Sequence, residues 1–177
     1  MDPFATLGLE RKYQQDLRAA EKTHRELSRA LHPDRYVGHG ASERRDALHR
    51  AVLVNEAWRV VRDPIQRAEA LFTLAGIPIG DTNEPKPDTA LLMDMMEQRE
   101  ALGEARAKRD IAAVKTLAAG VTARAEATER VLGAAFDAGH ADRDKLAPLV
   151  KKLGELRYCR RLLEEVSNVM DDLEAQP

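Results

Sequence analysis

Hydrophobic and polar positions along the chain fall into long helical repeats separated by short segments rich in proline and glycine. Between Asp16 and Leu31, the residues Leu17, Ala20, His24, Leu27 and Leu31 recur at spacings of three and four, which gathers them on one side of a helix. From Ser42 to Arg62, Ala47, Ala51, Val54, Trp58 and Val61 repeat the pattern. The two stretches predict antiparallel helices packed as a hairpin. His32-Pro33-Asp34 and a loop, Arg35 to Ala41, lie between them. Pro33 has no N–H and biases His32 away from the helical conformation, so the first helix is predicted to end there. Gly38 and Gly40 mark the loop, and Ser42 is the predicted N-cap of the second helix. A short helix follows, with Asp63 as N-cap and Pro64 in the first position; its Ile65, Ala68, Leu71 and Phe72 can cover the hairpin before Gly76.

Residues 77–87 hold Pro78, Gly80, Pro85 and Pro87 and predict a semi-rigid connector. The organisation expected is thus a helical domain over 1–76, a connector over 77–87 and a second domain over 88–177. Three helical patterns fill the second domain, at Asp88–Ala107, Asp110–Ala138 and Asp144–Leu173. The middle one carries Ile111, Val114, Ala118, Val121, Ala125, Thr128 and Leu132 as a bundle seam, with Gly139 as its predicted C-cap. The last carries Leu146, Leu149, Leu153, Leu156, Leu163, Val166, Met170 and Leu173, with Pro148 near its start. The fold class is all-α, an N-terminal hairpin with short helices joined to an antiparallel three-helix bundle.

The first bundle helix has two apolar faces. Leu91, Met95, Leu102 and Ala105 cluster on one side, and Leu92, Met93, Met96, Glu97, Glu100 and Glu104 on roughly the opposite one. A helix in a three-helix bundle buries one face, so the second group is expected outside. An exposed apolar strip with an acidic continuation is a candidate protein-binding surface, and methionine adapts to irregular partners. Periodicity alone leaves open that Leu92, Met93 and Met96 cover the connector or the first domain instead.

Composition narrows the possible chemistry. No apolar run approaches the ~20 residues of a membrane span, and Met1-Asp2-Pro3-Phe4 lacks the basic start and apolar stretch of a signal peptide. Cys159 is the only cysteine, which excludes an intrachain disulfide framework; a cytoplasmic protein is expected. Residues 1–76 hold thirteen Lys/Arg against eleven Asp/Glu (net +2), and the remainder holds fifteen against nineteen (net −4), whereas a nucleic-acid binder usually shows a larger basic excess. A helix-turn-helix regulator is further disfavoured because the segment from His32 to Ser42 far exceeds a turn of roughly 3–4 residues. No serine or cysteine nucleophile is marked beside His32 and Asp34, so no enzyme is expected. His24, His39, His49 and His140 lack metal-ligand spacing, and a lone cysteine cannot hold a cluster that typically takes about four ligands. Neither metal nor cofactor is expected.

The helix, His32-Pro33-Asp34, loop and helix resemble the J domain of DnaJ-type co-chaperones, which stimulate ATP hydrolysis by DnaK-type chaperones. Over its whole length the chain resembles one branch of that superfamily, the HscB family of iron–sulfur cluster assembly. The resemblance rests on Phe4-x-x-Leu7-Gly8-Leu9, Tyr13, the tripeptide, Asn55-x-Ala57-Trp58, Asp63-Pro64-x-x-Arg67-Ala68, Asp88-Thr89-x-Leu91-Leu92-Met93 and Glu97-x-Arg99-Glu100. It implies that His32, Pro33 and Asp34 contact an HscA-like chaperone. The basic stripe of Arg18, Lys22, Arg25 and Arg29, continued by Arg35, can then steer an acidic partner surface into register. It also implies that Leu92, Met93, Met96, Glu97, Glu100 and Glu104 hold an IscU-like scaffold. An aromatic from the last helix joins them, here Tyr158 where the family often has Phe. The chain lacks the Gly/Phe-rich segment and Cys-x-x-Cys repeats of general DnaJ proteins. A J-domain co-chaperone serving a different client is the alternative.

Overall fold

Aspartate side chains start most of the helices. In the computed structural model, which describes residues 1–80, 89–138 and 142–175, Asp2 caps α1 (Pro3–Thr6), Asp16 caps α2 (Leu17–Ala30), Asp63 caps α4 (Pro64–Leu74), Asp110 caps α6 (Ile111–Asp137) and Asp142 caps α7 (Arg143–Leu146). Each carboxylate accepts one or more of the backbone N–H groups that the first helical turn leaves without a partner. Two further long helices are α3 (Ala41–Arg62) and α8 (Val150–Ala175), and α5 (Thr89–Ala107) opens the bundle. Among the described residues there is no strand, and no helix is long and apolar enough to cross a membrane. The chain is all-α, as its periodicity predicts.

Some boundaries differ from the sequence reading for local reasons. Ser42 is not the N-cap of α3: the Glu43 carboxylate reaches back to accept the Gly40 N–H at 3.2 Å, so the helix begins at Ala41 with Ser42 already inside it. Gly38, at φ +93°, supplies the left-handed turn in the loop before it. The last helical pattern is not continuous, because Ala147–Leu149 is a 3-10 turn containing Pro148, which separates α7 from α8. Ile111 heads α6 but is 37% exposed, so the fully buried seam starts at Val114. The predicted cap at Gly139 and the connector residues 81–87 lie outside the described residues.

α2 and α3 pack as the expected hairpin, with Ala20, Ala47, Val54 and Val61 buried. His24 stacks on Trp58 at 5.4 Å between ring centroids, and its Nε2 lies 3.0 Å from Asn55 Oδ1. One hydrophobic core then runs through both halves of the chain. Phe4, Leu7, Tyr13, Val61, Ile65 and Phe72 share it with Leu132, Phe136, Leu146, Val150, Leu153 and Leu156, and Ile77, the first residue of the expected connector, is buried in it as well. Phe136 stacks on Tyr13 and meets Phe72 edge-on at 4.9 Å. Asp137, at the end of α6, accepts the Tyr13 and Gln14 backbone N–H groups at 2.6 and 3.0 Å. Ion pairs Arg160–Asp63 (2.9 Å) and Arg157–Glu69 (2.9 Å) tie α8 to the α4 region. A second core, with Leu102, Ala105, Val114, Val121, Cys159, Leu162 and Val166, closes the three-helix bundle.

Candidate interaction sites

The tripeptide forms the start of a 3-10 turn, Pro33–Tyr36, at the loop end of the α2/α3 hairpin. The Asp34 backbone N–H donates to His32 Nδ1 at 3.3 Å, so in the neutral ring Nε2 carries the proton and faces outward as a donor. His32 and Asp34 side chains are both well exposed, at 58% and 86%. The His32 ring and the Asp34 carboxylate stand in solvent on either side of Pro33. Lys22, Arg25, Arg29 and Arg35 are exposed too, with Arg25 held by Glu21 at 2.6 Å one turn back.

The second site lies on α5. Leu91 and Met95 are half-buried and Leu102 and Ala105 buried, while Leu92, Met93 and Met96 are 45%, 58% and 72% exposed. The described residues of the first domain leave these three exposed, and the connector residues 81–87 lie outside the described residues. Glu97, Glu100 and Glu104 are exposed along the same helix. The Glu104 carboxylate accepts a hydrogen bond from Lys108 at 2.8 Å, and that contact, with the attraction of the ammonium, holds it below its ordinary pKa.

Tyr158 corrects the sequence reading. Its residue is only 3% exposed, and its hydroxyl donates toward the Met95 carbonyl (3.3 Å) and Gln98 Oε1 (3.2 Å). The ring packs into the bundle core behind α5, so it supports the strip from within and adds no area to it. The reason is helical phase: Cys159, Leu162 and Val166 place the core on that side of α8, and Tyr158 belongs to the same face.

A polar network missed by periodicity stands beside that tyrosine. Arg124 of α6 donates to Asp94 of α5 and, at 2.7 Å, to Glu155 of α8, which also accepts from Lys152 at 2.7 Å. Burial on its own would raise the Glu155 carboxyl, but the hydrogen bonds and charges of Lys152 and Arg124 outweigh it and hold the pKa below its ordinary value. The signal was present in the sequence as Asp94, which falls within the apolar stretch of α5. Farther along α5, Arg99 pairs with Glu165 and Arg106 with Asp172, both at 2.7 Å. Among the described residues no group of three or more His, Cys, Asp or Glu side chains is gathered to hold a metal.

The motif residues sort clearly into frame and surface. Phe4 and Ala57 are fully buried and Leu7 nearly so, while Gly8 takes φ +66°. Asp63 caps α4 behind Pro64; Arg67 lies 4.7 Å from the Tyr13 ring centre and donates to the Val61 carbonyl at 2.7 Å. Of the motif residues, His32, Pro33, Asp34, Leu92, Met93, Glu97 and Glu100 are exposed.

Residues 87–167 match the family model described as the HSCB C-terminal oligomerisation domain. The co-chaperone protein HscB homolog of Burkholderia multivorans is 32% identical over 171 residues, 97% of this chain and 95% of that protein. Its counterpart from Cupriavidus taiwanensis is 33% identical over 173 residues, 98% of this chain and 96% of that protein. Chaperone HscB from Vibrio cholerae superimposes with a TM-score of 0.84 at 28% identity, covering 98% of this chain and 99% of that one. Human co-chaperone protein HscB shares the fold, with a TM-score of 0.82 at 24% identity over 94% of this chain and 81% of that one. On full-length sequence identity, with the fold in agreement, the chain belongs to the HscB family of co-chaperones.

Proposed function

We propose that this co-chaperone delivers an IscU-like iron–sulfur scaffold to an HscA-like DnaK-type chaperone and stimulates that chaperone's ATPase. His32, Pro33 and Asp34 engage the chaperone, with Lys22, Arg25, Arg29 and Arg35 steering its acidic surface. Leu92, Met93 and Met96 supply apolar contact to the scaffold, while Glu97, Glu100 and Glu104 supply charge complementarity. The observation that carries this reading is the exposure of three large apolar side chains on α5 while the opposite face fills the bundle. A continuous core between the tripeptide's hairpin and the bundle supports a second element of it. Two sites on one rigid frame raise the effective concentration of scaffold at the chaperone without any further contact.

The test is a paired measurement on purified proteins. Leu92→Ala with Met96→Ala is expected to abolish scaffold binding and leave unassisted ATPase stimulation intact. Because both side chains are exposed, thermal stability should shift by less than ~0.5 kcal/mol. His32→Gln is expected to do the reverse, removing stimulation while scaffold binding stays. Scaffold binding that survives the double substitution at unchanged stability would remove the cluster-assembly role and leave a J-domain co-chaperone for another client.

A further inference from the structure

α3 carries an apolar pair that neither core accounts for. Leu48 and Val52 are 57% and 58% exposed, one turn apart on the same face of the helix. Asn55, one turn further along that face, meets His24 of α2, so the row runs beside the edge of α2 that holds His24 and Ser28. In an antiparallel hairpin pinned at His24 and Asn55, Leu48 stands level with Leu31, immediately before the tripeptide. One turn ahead of Leu48 lie Arg44 and Arg45, both exposed and neither ion-paired among the described residues. On the α2 side the basic stripe continues through Arg25 and Arg29.

We infer that Leu48 and Val52 form an apolar seat on the chaperone-facing side of the hairpin, taking an apolar surface of the same DnaK-type partner that is rimmed by carboxylates. This rests on the function proposed above and adds a division of labour to it. The arginines on both flanks favour an acidic rim and disfavour a basic or lipid-tail surface without anionic groups. Two half-exposed aliphatic side chains contribute area and hence affinity, whereas the tripeptide supplies the directional contacts that couple binding to hydrolysis. Leu48 and Val52 act as positioning residues, holding the hairpin so that His32 and Asp34 meet their target.

The experiment is a titration of the full-length protein against an HscA-like chaperone under single-turnover ATP conditions. Leu48→Ser with Val52→Ser should raise the concentration for half-maximal stimulation about tenfold and leave the maximal rate within twofold. Leu48→Ile with Val52→Ile should restore the half-maximal concentration, which a merely structural disturbance would not separate from the serine result. His32→Gln, run alongside, should abolish the maximal rate. An unchanged half-maximal concentration in the serine variant, with His32→Gln inactive, overturns the apolar seat and leaves the proposed function standing. An active His32→Gln overturns the function itself. Loss of self-association or of vesicle binding in the serine variant, with unchanged stimulation, assigns the pair to a second copy or to a membrane and overturns the inference.

Discussion

Tyr158 shows how one side chain can belong to a site without facing it. Burial pushes its phenol above the ordinary pKa, and its hydroxyl spans two groups of α5. Tyr158→Phe keeps the ring and loses only those hydrogen bonds, at a cost of about 0.5–1.5 kcal/mol, and scaffold affinity should stay within about twofold. Tyr158→Ala empties part of the core, and a loss of about 3–5 kcal/mol in denaturant unfolding is expected. Abolished binding at unchanged stability in the alanine variant would put the ring on the surface after all. Asp63 gives a prediction in pH. Burial alone would raise its carboxyl, but hydrogen bonds from Arg160 and from the Gln66 and Ile65 amides outweigh that and hold the folded-state pKa below the ordinary aspartate value. A carboxyl depressed on folding adds stability above its unfolded value, and that stability disappears as pH falls from there through the lower folded value. Asp63→Asn keeps a side chain able to cap α4 but removes the charge, so its unfolding free energy should fall less steeply below about pH 4 than that of the parent. Equal slopes in urea melts across that range would show the carboxylate contributes nothing.

At the level of elements, much of this molecule was legible because its helices announce their ends chemically. Asp16, Asp63 and Pro64 mark starts, and Pro33 marks a stop. The two faces of α5 were also legible, since 100° per residue separates Leu91, Met95 and Leu102 from Leu92, Met93 and Met96. What periodicity did not supply was the phase of α8 around Tyr158 or the partner of Asp94, because both depend on which helices become neighbours. The half of α5 that carries the exposed strip has only half-buried Leu91 and Met95 beneath it, and the Arg124 network fastens it there. Arg124→Ala leaves Glu155 with Lys152 and Asp94 with the Gln98 side-chain amide, so both lose their tie to α6. With Arg124 about one third exposed, a loss of about 1–2 kcal/mol is expected. Scaffold affinity should fall with it, since the strip's orientation loosens. Full affinity in a destabilised Arg124→Ala would mean the rotation of α5 is set by Leu102 and Ala105 alone.

For the molecule as a whole, one core joins residues of the hairpin half to residues of the bundle. Phe136 meets Tyr13 from more than a hundred positions away and Phe72 from more than sixty, pairings that no local pattern encodes. Phe136→Ala should lower the unfolding free energy by about 3–5 kcal/mol and be felt in both halves. A calorimetric trace that divides into two well-separated peaks in the parent protein would contradict a shared core. The parent chain also carries its own pair of observers. Its single tryptophan, Trp58 of α3, lies against the His24 ring of α2, and its single cysteine, Cys159, is fully buried in α8, with burial raising its thiol pKa. Fluorescence therefore reads the hairpin and thiol alkylation reads the bundle, with no label added and no residue replaced. If the two halves open together, the emission change and the onset of alkylation will follow the same denaturant curve. A thiol that reacts while the indole signal is still native would reveal the bundle opening on its own while the hairpin stays folded.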